Sequence, residues 1–150
     1  MKYLLCLFIA LTFVACKKNE EAAPDAGATV AGTYQMTLIG ITDATGYKEI
    51  TVTTPPTTAT GVITAVRTDA NSVNLTARAA VATSPTSTTY AVYEFNNPIP
   101  VTLQQNGSSY DMLYSGTKIG TADGTTIGID ITQPASGTTI ANRTVLKGKK

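Results

Sequence analysis

The sequence predicts one all-β domain, an up-and-down antiparallel β-barrel of about eight strands, and three observations carry that expectation. Beyond residue 28 the chain is rich in Thr, Val, Ile and Tyr, which favour pleated strands over helices. Apolar and polar residues alternate with period two in one segment after another, and no stripe at i, i+3, i+4, i+7 runs for three turns. The segments are short and separated by compact Pro, Gly, Asn and Asp turns, which suits a meander in which each strand pairs with the one before it. A β-sandwich is the alternative. It needs longer crossings between its sheets and commonly a core Trp, a residue this chain lacks. A neutral, Thr-rich open sheet would also associate through its edges, and closure removes them. Residues 29–150 make a stretch of about 120 residues, a usual single-domain size with a real core.

Ahead of that domain, one basic residue, Lys2, precedes an almost unbroken apolar run to Val14, and small Ala15 stands before Cys16. This is the layout of a secretory signal over residues 1–15. The run is too short to span a bilayer, which takes about 20 apolar residues. Ala15-Cys16 after such a run resembles the lipobox of bacterial lipoproteins. The resemblance implies that Cys16 is acylated, becomes the first mature residue and holds the protein in membrane lipid, since two or more fatty chains anchor stably. Residues 17–28 (KKNEEAAPDAGA) are charged and interrupted by Pro24 and Gly27, so 16–28 is expected to be the lipidated cysteine and a flexible tether. Lys17 after the cysteine resembles lipoproteins sorted to the outer membrane, and Glu20-Glu21 resembles signals that carry some of them to the cell surface. The expected location is the outer membrane, with the domain on its periplasmic or cell-surface face.

Within the domain, the first strand is expected at Tyr34 to Leu38, with Tyr34, Met36 and Leu38 on one face. Ile50 and Val52 alternate with Glu49, Thr51 and Thr53. Val62, Thr64 and Val66 take the face opposite Ala65 and Arg67. The most regular strand, Val73 to Ala79, sets Leu75, Ala77 and Ala79 on the same face as Val81. Further strands are expected at Thr89–Phe95, Ile99–Leu103 and Tyr110–Tyr114. Ile127, Ile129 and Ile131 then alternate with polar residues, and a last strand covers about Ile140 to Lys147. Turn chemistry separates these runs at Pro55-Pro56, Asp69 to Ser72, Ser84-Pro85, Asn97-Pro98, Asn106-Gly107, Asp123-Gly124 and Pro134 to Gly137.

Composition excludes several functions. Without Lys2 the mature chain balances ten basic against ten acidic residues, so it lacks the basic field of a nucleic-acid binder and the polybasic patch that binds anionic lipid. Cys6 lies in the signal, which leaves Cys16 alone and no disulfide. His is absent, so Ser-His-Asp and Cys-His catalysis cannot be built, nor can His/Cys zinc sites. A carboxylate-pair hydrolase would need two acids roughly 5–9 Å apart across a cleft. Glu49 and Glu94 are the only Glu residues of the domain, and no enzyme activity is expected. Gly116, Gly120 and Gly124 open no helix that would cradle phosphate, and Asp69 to Ser72 lacks the acidic spacing of a calcium loop. No cofactor is expected.

Gly32-Thr33-Tyr34 resembles the Gly-X-Trp opening of lipocalins and their calycin relatives, with Tyr in place of Trp. Arg143 matches the basic residue that in lipocalins packs across that ring, and Val145 to Lys150 looks like the final strand of small lipocalin-like lipoproteins. The resemblance implies an interior just wide enough for side chains or one small ligand. Small Ala77 and Ala79 beside Leu75 leave volume, and Tyr34, Leu75, Ala77, Tyr90, Tyr110, Met112 and Tyr114 are the candidate lining. The expected function is non-enzymatic binding of a small apolar or amphiphilic molecule. The alternative is a surface module that binds protein or glycan through its loops and hydroxyl-rich faces. A closed barrel needs no second copy to protect its edges, so a monomer is expected.

Overall fold

The computed structural model describes residues 24–43, 46–53, 58–84, 89–134 and 141–150. The expected signal, Cys16 and most of the tether lie outside the described residues, as do Pro55-Pro56, Pro85 and Ile140. Among the described residues nine strands follow a short helix, α1 (Ala26–Val30): β1 (Gly32–Asp43), β2 (Gly46–Thr51), β3 (Ala59–Asp69), β4 (Ser72–Ala82), β5 (Tyr90–Asn106), β6 (Ser109–Tyr114), β7 (Thr117–Ala122), β8 (Thr126–Gln133) and β9 (Asn142–Lys149). All pairings are antiparallel. β1 joins β3 along its first residues and β9 from Gln35 to Gly40, which closes an eight-stranded barrel with β2 as an extra strand. The closed antiparallel barrel is consistent with a lipocalin-like fold.

One end of the barrel is stoppered. Asp25 caps α1 by accepting from the Ala28 N–H at 2.7 Å and pairs with Arg67 of β3 at 2.8 Å. The Gly27 N–H donates to the Ala70 carbonyl in the β3–β4 turn, and Ala26, Gly27 and Val30 are buried. The expected tether therefore ends sooner than its composition implied. A single turn is too short to show a 3.6-residue period, and packing against the barrel, not helix propensity, holds it. Above α1 the Tyr34 hydroxyl donates to the Val30 carbonyl at 2.5 Å, and Ile63, Val73, Val101, Met112 and Ile127 fill the lower interior with it. Each such burial is worth about 1.5–3 kcal/mol.

Three expectations about the strands change. In β1 the register shifts between Met36 and Leu38, so Tyr34 and Met36 face inward but Ile39, not Leu38, continues the buried row. A bulge flips the alternation without leaving a sequence mark. The runs at Thr89–Phe95 and Ile99–Leu103 belong to one strand. Opposite β4, Leu75 pairs with Ile99 and Ala77 with Phe95, so single Thr76 faces the three residues Asn96, Asn97 and Pro98. Asn97-Pro98 makes a bulge where a turn was expected. Finally, β7 was not anticipated at all: TKIGTA holds one large apolar residue, Ile119, and Gly120 breaks its alternation. In β3 the inward row is Ile63 and Ala65, and Val66 is 57% exposed.

Toward the other end the wall loosens. β2 takes over the edge of β1 from Leu38 to Asp43, where β3 no longer pairs with it. β5 pairs with β6 only over Thr102–Asn106, and β7 with β8 only over Gly120–Ala122. The upper strands thus form two groups, β8-β9-β1-β2 and β3-β4-β5, facing each other across an open mouth.

Candidate functional site

The mouth is shaped by what the strands do not fill. Ala77 and Ala79 project inward from β4, and their small side chains leave the space beneath Phe95 of β5 unoccupied. On one side of Phe95 lies a cavity of about 340 Å³ bounded by Ile99, Tyr114, Ile119, Ile131, Gln133, Asn142 and Thr144. On the other side a second cavity of about 220 Å³ reaches Met36, Ile39, Ala79, Tyr93 and Leu146, and shares Asn142 and Thr144 with the first. The walls are apolar and the few polar groups stand at the rim, the usual make-up of a small-molecule site.

The charges near the mouth are spoken for. Glu94 accepts from Asn96 at 2.8 Å and from Arg78 at 2.6 Å, and these donors hold its carboxyl below the usual range. Arg143 forms a two-point bond to Asp130, at 3.0 and 2.7 Å, and lowers that carboxyl in the same way. Its guanidinium also lies 5.1 Å over the ring of Tyr47, whose hydroxyl donates to Glu49 at 2.8 Å. Glu49 and Glu94 are thus each engaged by their own neighbours.

No protein family, curated protein or solved structure matches this chain. Its site stands on geometry alone. Ala77 and Tyr114 border the cavities. Leu75 is buried and lines a small gap with Ala77, Phe95 and Ile99. Tyr34, Tyr110 and Met112 belong to the packed core, and Tyr90 is 47% exposed on β5. The basic residue over Tyr34 is Lys150, with Nζ 5.0 Å from the ring centre, not Arg143. β9 runs antiparallel to β1 with Gly148 opposite Met36, so only the end of the chain returns to Tyr34, while Arg143 lies at the mouth.

Phe95, Ile99, Ile119, Asn142 and Thr144 line the cavities without having been candidates. Ile131 had a signal in the Ile127-Ile129-Ile131 alternation. The Asn96–Pro98 bulge, which the sequence reads as a turn, shifts the register by two, so that Phe95 instead of Asn97 stands opposite Ala77.

Proposed function

We propose that this protein is a lipid-anchored, non-enzymatic barrel that holds one small apolar or amphiphilic molecule at its mouth, with acylated Cys16 fixing it to the outer membrane. The observation that carries the binding reading is the pair of apolar cavities meeting at Phe95, the larger about 340 Å³. That volume lies in the range of small-ligand sites, about 300–1,000 Å³. An apolar chain or ring lies against Ile99, Ile119 and Ile131, while a polar head reaches Gln133, Asn142 or Thr144 at the rim.

Titration of the full chain with the fluorescent probe N-phenyl-1-naphthylamine should show saturable binding at one site. Ile131→Gln replaces an apolar wall with a polar one and should weaken binding about tenfold, the equivalent of about 1.4 kcal/mol. Binding that does not saturate, or is indifferent to Ile131→Gln, would sink the reading. The anchor is tested separately: Cys16→Ala should move the protein from the membrane to the soluble fraction, and persistence in the membrane would count against acylation.

A further inference from the structure

We infer that the occupant of the mouth is a two-chain amphiphile with an uncharged, hydrogen-bonding head group, seated astride Phe95. This rests on the binding reading above and adds the shape and charge of the molecule. The two cavities are lobes of one site. Both are bordered by Phe95, Asn142 and Thr144, and beyond those three their walls have no residue in common. The larger lobe, about 340 Å³, runs along Ile99, Ile119 and Ile131. The smaller, about 220 Å³, runs along Met36, Ile39 and Leu146.

The shared boundary has two parts of opposite character. Phe95, opposite Ala77, is an apolar partition between the lobes. Asn142 and Thr144 stand two apart on β9, so their side chains share a face and form one polar point at which the lobes converge. A single chain fills one lobe and leaves the other apolar wall in contact with water. Two chains joined at one head fill both lobes, remove both walls from water, and bring the head to Asn142 and Thr144. Charge selects the head. Near the mouth Glu94 is paired with Arg78 at 2.6 Å and Asp130 with Arg143 at 2.7 Å. The amide of Asn142 and the hydroxyl of Thr144 bond an ester, hydroxyl or amide, which lacks the desolvation cost of an ion.

The test is displacement of N-phenyl-1-naphthylamine from the full chain by two glycerides of equal chain length, monooctanoylglycerol and dioctanoylglycerol. The two-chain compound should bind about tenfold more tightly or better. Ala79→Leu fills the smaller lobe, so it should cost the two-chain compound about tenfold and leave the one-chain compound, housed in the larger lobe, unchanged. Ile41→Gln makes the same lobe polar without adding bulk on β4 and should repeat that pattern. Circular dichroism and retained probe binding show that each variant is folded. Dioctanoylphosphatidic acid, with the same chains and a charged head, should bind more weakly than the diglyceride. Equal affinity for one and two chains, lobe variants that weaken both compounds alike or neither, or a preference for the charged head overturns the inference. Those results leave the binding reading standing; a probe that never saturates removes that reading and this inference with it.

Discussion

Tyr34→Ala should cost about 3–5 kcal/mol, read as a lowered midpoint in chemical denaturation of the full chain. The ring is fully buried, its hydroxyl holds the Val30 carbonyl, and Lys150 lies over its face. Truncation empties the lower core and releases α1 at once. Since domains are stable by only about 5–15 kcal/mol, the loss approaches unfolding. The same residue sets an alkaline limit. Burial, with the nearby Asp123 charge, pushes its phenol up from 10.0 to about 12. Stability from this group is intact below pH 10. It falls as pH rises from 10 to about 12, where the unfolded phenol ionises and the folded one does not. Tyr34→Phe should flatten that decline at a cost of about 1 kcal/mol for the lost hydrogen bond. A Tyr34→Ala loss under about 1 kcal/mol would show that the stopper does not support the core.

Gly120→Ala should be comparably damaging, and for a different reason. A Cβ there would sit 2.0 Å from the Gly128 carbonyl oxygen and 2.8 Å from the Met112 methyl. Backbone on the neighbouring strand cannot swing aside as a side chain does. β7 and β8 share only three residue pairs, beginning at Gly120 and Ile129, so a forced shift threatens the whole seam. Overpacking of this kind costs about 1–3 kcal/mol, and more where pairing is lost. Gly128→Ala is the internal control: nothing lies within 4 Å of its Cβ, and its φ is not positive. Denaturation midpoints should fall for Gly120→Ala and stay near the parent value for Gly128→Ala. Equal midpoints would refute the close approach.

The architecture was readable because alternation and turn chemistry repeat along the whole chain. β4 is the plain case: Val73, Leu75, Ala77 and Ala79 all face inward as their spacing implies. The candidate site was only partly readable. Ala77 announced space, but the residues around that space come from β1 and from every strand from β5 to β9, and strand stagger decides which of them meet. Two irregularities then changed which residues meet. The one-residue shift at Met36/Leu38 turned Ile39 inward, and the Asn96–Pro98 bulge brought Phe95 opposite Ala77. Aromatic type misled in the other direction: Tyr110 looked like lining and is core, because amphipathic rings serve either place.

The position of α1 bears on posture. The chain leaves the barrel at the stoppered end, and the eight steps from Pro24 back to Cys16 extend at most about 30 Å. β4, with 11 residues at roughly 3.3 Å each, makes the tilted barrel of the same order in height. In the proposed anchored protein the leash is thus too short to lay the opening on its own bilayer without being drawn taut. Anchored in that way, the domain would keep its stoppered base toward the bilayer and its rim away from it.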